Sequence, residues 1–90
     1  MAKYDPVFRF LRDSGLESLD LAMDDLADMV DGGLPPSAYD PGRRMWWSNS
    51  DDPRHVQAAA WLAAGYAVAP GGVDYALRRV RFTRGRQPGT

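Results

Sequence analysis

The chain contains no cysteine and a single histidine, His55. The first absence removes disulfides, thiolate zinc ligands and thiol nucleophiles, and the second makes a multi-histidine metal centre within one chain impossible. No apolar run approaches the roughly 18 residues that a membrane span needs. The opening MAKYDPVFRF is neither a basic leader region nor followed by a long apolar segment. The expectation is a soluble, cytoplasmic protein with no membrane, metal or cofactor partner. No paired acid and base or nucleophile motif stands out either, so no catalytic residue is assigned and a non-enzyme is expected.

What is present is one domain's worth of ordinary globular sequence. Ninety residues leave room for a single core, and hydrophobic content of 44% with 26% charged residues argues against disorder over most of the length. The charge is small in total but divided along the chain. Residues 1–42 carry three cations against nine carboxylates, and residues 43–90 carry eight arginines against three aspartates. Such a division marks either a nucleic-acid contact on the basic half or two halves that neutralise each other in the fold.

Local signals place the elements. Asp5-Pro6 reads as a helix start, an aspartate N-cap followed by a proline whose missing N–H costs nothing there. Val7, Phe10 and Leu11 follow as its apolar stripe, and Gly15 is the stop, giving a first helix over 6–14. Leu19 and Leu21 alternate with Asp20 and Ala22 as in a short half-buried strand. Asp24 and Asp25 open a second helix with Leu26, Met29 and Val30 as its buried side, ended by Gly32-Gly33 and the rigid Leu34-Pro35-Pro36-Ser37 turn. Residues 45–49 read as a short strand or an extended loop, with Trp46 and Trp47 on opposite sides. Asp52-Pro53 repeats the cap-and-proline pattern and predicts a third helix over 53–64 closed by Gly65. Strands are predicted over 66–69 and 77–83, joined through Pro70-Gly71-Gly72, with Val80 and Phe82 on one face and Arg79 and Arg81 on the other. Residues 1–84 are expected to form the domain and 85–90 a flexible tail.

The fold class expected is α+β: three helices with a short strand and a C-terminal β-hairpin, winged-helix-like, with the third helix reading DNA and the hairpin as wing. The segment between the second and third helices is longer than a helix-turn-helix usually allows. At about 100° per residue the third helix places Val56, Ala59, Ala60 and Ala63 on its core face, with Arg54, Gln57 and Trp61 opposite and His55 near the boundary. Trp61 is then either covered by Trp46 or Trp47 as core, or part of a surface that stacks on a base or a peptide side chain. Asn49 reads as a turn residue bonding its own backbone, with ligand recognition as the alternative. Arg78, Arg79 and Arg81, like Arg43 and Arg44, are candidate phosphate donors, or else solvated or paired with the acidic second helix.

Lys3 to Pro6 (KYDP), Leu34 to Ala38 (LPPSA), Trp46 to Asn49 (WWSN), His55 with Gln57, Ala60 to Leu62 with Ala64-Gly65, and Val80-Arg81-Phe82 together carry a resemblance. The chain resembles a family of small uncharacterised bacterial and phage domains of unknown function. The resemblance spans nearly the whole chain and implies no activity. Tyr66 stands where the pattern more usually has tryptophan, and Tyr39-Asp40-Pro41-Gly42 replaces a more basic stretch, which weakens a phosphate grip by that turn. The expected function is a small non-enzymatic nucleic-acid-binding module, of the kind that regulates a phage or mobile element. The alternative is a protein-interaction module that docks a host protein through its tryptophans and acidic helix.

Overall fold

The computed structural model describes residues 2–84. The flexible tail expected over 85–90 lies outside the described residues. The architecture is α+β. In chain order, helix α1 (Asp5–Ser14), strand β1 (Ser18–Ala22), helix α2 (Met23–Met29), helix α3 (Val56–Ala63) and strands β2 (Tyr66–Asp74) and β3 (Arg79–Arg84) are supplemented by 3₁₀ helices at Ala2–Tyr4, Pro36–Tyr39 and Pro41–Trp47. The strands form one antiparallel sheet in the order β1-β3-β2. No helix among the described residues is long and apolar enough to cross a membrane.

The first half follows its local signals. α1 buries Val7 and Leu11 and ends where Gly15 turns left-handed at φ 70°, although Phe10 faces solvent. Asp5 lies inside the helix and caps nothing, because a 3₁₀ turn already leads in and Tyr4 occupies the cap position. β1 presents Leu19 to the core, and α2 buries Met23 and Leu26, with Val30 continuing the stripe just beyond its end.

The second half departs in three places. Residues 45–49 are neither strand nor simple loop: Pro41–Trp47 coils into a 3₁₀ helix, kinked at Arg43, and Asp40 Oδ1 accepts the Gly42 N–H at 2.8 Å to start it. Trp46 and Trp47 therefore do not splay apart but meet edge to face with centroids 4.6 Å apart. α3 begins only at Val56, since Asp52 and Pro53 form a turn that delivers the chain to it. Finally, Pro70-Gly71-Gly72 is not the hairpin turn. β2 continues through it to Asp74 as an irregular, bulged stretch between Val68 and Val73, and residues 75–78 make the turn. A bulge accommodates a proline without its N–H, and Gly71 supplies φ 65°. A Cβ on Gly72 would meet the Ala69 carbonyl oxygen at 2.8 Å, so that position excludes any side chain unless the backbone moves.

The Asp52 turn carries a testable pH dependence. Arg54 donates to the carboxylate through its guanidinium at 2.7 Å and 3.1 Å and through its backbone N–H at 2.9 Å. The side-chain hydrogen bond, then the backbone one, hold the Asp52 carboxyl below the usual aspartate value of 3.8. A lowered folded value means that the turn's contribution to stability is complete above that ordinary value and is lost as pH falls through the lowered one. An NMR titration should place the Asp52 midpoint below that of an unstructured aspartate, and Arg54→Ala should move it back up. A midpoint at the ordinary value would remove the turn's ion pair from the account.

Candidate functional site

The aromatic residues of the middle segment form the inside of the molecule. Trp47 and Trp61 are both buried and lie nearly parallel, with centroids 5.8 Å apart, and Trp61 continues onto Phe82 of β3 at 5.5 Å. Each indole N–H has a partner: Trp47 Nε1 donates to the Ala38 carbonyl at 2.7 Å and Trp61 Nε1 to Asn49 Oδ1 at 3.0 Å. Asn49 also accepts the Val68 N–H at 2.8 Å and returns a bond to the Val68 carbonyl at 2.9 Å. It thus bonds β2 rather than its own turn. Gln57 is buried and donates to the Trp46 carbonyl at 3.0 Å.

Apart from Ala60, which is buried as expected, these contacts turn over the face expected of α3. Gln57, Ala58, Ala60 and Trp61 point inward, whereas Val56, Ala59 and Ala63 face solvent, with Val56 50% exposed. The reason is size. In a helix half of whose residues are alanine the burial of one indole outweighs the gain from burying a few methyl groups, because the stabilisation scales with apolar area. Trp47, Gln57 and Trp61 therefore do not offer a free contact surface, and Trp46 is half-buried between Tyr4 and Trp47.

The arginines separate by partner. Arg54 is paired with Asp52, and Arg79 with Asp20 of β1 at 3.2 Å rather than with acidic α2. Arg43, Arg44, Arg78 and Arg81 are exposed and make no ion pair among the described residues. Arg81 shares the outward sheet face with Asp20 and Arg79, while Val80 and Phe82 point into the core as the alternation predicts. His55 sits half-buried just ahead of α3, its Nδ1 without a hydrogen-bond partner among the described residues.

Two of the unpaired arginines frame a groove. The Pro36–Tyr39 and Pro41–Trp47 coils form one wall and the distal end of the β2–β3 hairpin the other, enclosing an open groove of about 600 Å³. Tyr39, Pro41 and Arg44 line it on one side, and Gly71, Val73 and Tyr75 on the other. Arg44 lines the groove and approaches Tyr75 on its other side, whereas Arg78 is not a lining residue and lies next to the groove against Tyr39. The Arg44 guanidinium lies 5.1 Å from the Tyr75 ring centre, and that of Arg78 lies 5.0 Å from the Tyr39 ring centre. Asp74 also borders the groove, with one carboxylate oxygen engaged by the Leu77 N–H at 2.9 Å.

Arg78 holds its place against local preference. It is the only described residue other than glycine with positive φ, at 55°, a conformation that costs an L-residue roughly 1–2 kcal/mol. Its carbonyl accepts the Met23 N–H at 2.7 Å, which ties the turn to the start of α2. Glycine would fit this backbone better, but only a long cation reaches Tyr39.

Sequence reasoning named Arg44 and Arg78 but missed Tyr39 and Tyr75. Tyrosines at turn positions carry no periodic signal, and they become neighbours of the arginines only when the hairpin folds back on the 3₁₀ coils. Chemically, the groove and its border offer two delocalised cations, each within cation–π distance of a tyrosine ring, which suits a ligand that is both anionic and planar. Among the described residues no three acidic or histidine side chains converge as a metal site.

A family model described as Domain of unknown function (DUF7662) matches residues 4–85. No curated protein and no solved structure gives a significant match.

Proposed function

Since the chain belongs to that family of domains of unknown function, its activity has to be read from its own surface, and we propose that it is a small non-enzymatic nucleic-acid-binding module. The observation that carries the reading is the crossed pair of arginine–tyrosine stacks, Arg44 on Tyr75 and Arg78 on Tyr39, facing an open groove. Guanidinium groups free of carboxylates bind phosphate bidentately, and Arg43 extends the basic rim outside the groove. A regulatory role in a phage or mobile element is part of the same proposal. So is a winged-helix likeness, supported by the element order and the β1-β3-β2 sheet, with β2–β3 as the wing. In this version the wing and the coils bind, not α3.

Docking of a host protein is the second reading. It no longer has Trp47 and Trp61 to use, but the exposed Asp24, Asp25 and Asp28 of α2, with no ion pair among the described residues, still favour a basic partner surface.

Arg78→Gly is the informative variant, because glycine suits φ 55° and removes the cation without disturbing the turn. Binding of the full chain to labelled oligonucleotides should weaken steeply with salt, as displaced counterions require. Arg78→Gly and Arg44→Ala should each reduce the log–log salt slope by roughly 0.7 to 0.9. The melting temperature of Arg78→Gly should stay close to that of the parent. Binding insensitive to salt and to both substitutions, or no binding to any nucleic acid, would favour the protein-partner reading.

A further inference from the structure

The crossed stacks say more about the form of nucleic acid than its presence. Resting on the reading above, we propose that the groove takes a single unpaired strand, with successive bases packed against the Arg44–Tyr75 and Arg78–Tyr39 steps.

A duplex is read by an element that projects into it and carries donors and acceptors to the base edges. Among the described residues of the basic half α3 is the one α-helix, and its solvent face consists of Val56, Ala59 and Ala63. Gln57 is turned inward onto the Trp46 carbonyl, and Arg54 is clasped by Asp52. Nothing on that helix is left to read a major groove. The cationic and aromatic groups instead line a concavity between the hairpin and the 3₁₀ coils. An open, shallow surface of this kind, bordered by rings, gives the bases of an unpaired strand faces to lie against.

The stacked pairs also match the faces that unpaired bases present. Both aromatic rings and guanidinium planes stack on nucleobases, and this stacking tolerates any sequence because every base has a π face. The Arg44–Tyr75 pair lies within the groove, and the Arg78–Tyr39 pair meets it through Tyr39, so that two cation–aromatic pairs border one open surface. Asp74 on the border repels phosphate, which favours a strand whose backbone runs along the Arg44 side, away from the hairpin carboxylate. Gly71 adds no side chain to a wall otherwise lined by Val73 and Tyr75.

The experiment compares a short labelled mixed-sequence DNA strand with the blunt duplex of the same sequence, both titrated with the full chain at one moderate salt concentration. The strand should bind at least roughly tenfold tighter than the duplex. Tyr75→Leu, which keeps apolar bulk against the core, should weaken strand binding by roughly 5- to 100-fold, and Tyr75→Phe should hold close to the parent. Circular dichroism melts on each variant establish that it is folded, and Tyr39→Leu repeats the test on the other wall if Tyr75→Leu is not. Inorganic polyphosphate serves as a charge-only competitor and should displace the strand poorly. A duplex bound as tightly as the strand, or a folded Tyr75→Leu with parental affinity, would overturn the single-strand inference while leaving nucleic-acid binding in place. Failure of strand and duplex alike to bind would overturn both.

Discussion

Trp61→Ala is expected to lower the stability of the folded chain by about 3 to 5 kcal/mol, the range of large aromatic truncations in well-packed cores. The side chain is 2% exposed, stacked on Trp47 and tilted against Phe82, so its removal opens a cavity bordered by two other rings that are themselves held in place. Rings held by hydrogen bonds collapse poorly into a void, and Trp47 is anchored to the Ala38 carbonyl. A domain of this size has a total stability on the order of 5 to 13 kcal/mol. The variant should therefore be marginal at room temperature, with a large fall in the urea midpoint. Its folded fraction should bind oligonucleotide with the parent's affinity, since the groove residues do not touch Trp61. A variant that melted like the parent but bound weakly would reverse the assignment and make Trp61 a contact residue.

The second large effect is expected at Asn49. Its side chain closes three hydrogen bonds at once: it accepts from the Trp61 indole and the Val68 N–H and donates to the Val68 carbonyl. The loop ahead of α3, the helix itself and the start of β2 meet on this one amide. Net hydrogen-bond contributions of about 1 kcal/mol each would sum to about 3 kcal/mol, and because the residue is exposed to water Asn49→Ala is put at a loss of about 2 kcal/mol. Asn49→Asp should fall between, since it keeps the acceptor but sets a carboxylate oxygen against the Val68 carbonyl. Amide exchange at Val68 should speed up in both variants. Unchanged Val68 protection in Asn49→Ala would mean that strand pairing alone holds β2, and that the clasp contributes nothing.

Trp61 as core covered by Trp47 is one of the two readings the sequence leaves open, but the Asn49 effect is not visible along the sequence. Asn49 sits among Ser, Asp and Pro residues that mark turns, and an asparagine there most often bonds its own neighbours. Here its partners are Val68 and Trp61, both beyond α3's first turn, and only the packing of β2 beside the loop makes them reachable. The same holds for Arg79. The sequence leaves it a phosphate donor, solvated or paired with α2, but the register that pairs Asp20 with Arg81 and Ala22 with Arg79 sets β1's aspartate beside it.

The sequence by itself determined the features that rest on local physics. Proline and glycine punctuation with a 3.6-residue period located α1 and α2, and alternation located β1 and the two faces of β3. The missing cysteines and the lone histidine excluded whole classes of chemistry without reference to any fold. Tertiary structure alone decided which way α3 faces. A run such as VQAAAWLA has almost no amphipathic contrast, so its orientation is fixed by what surrounds it, and Trp47 and Phe82 draw Trp61 inward. Tertiary structure alone also made the groove, because its walls come from segments separated by all of α3 and most of β2. Their tyrosines acquire a role only beside arginines from the opposite wall. Hydrophobic periodicity reports on a residue's own helix or strand, whereas a binding surface depends on which distant segments fold together.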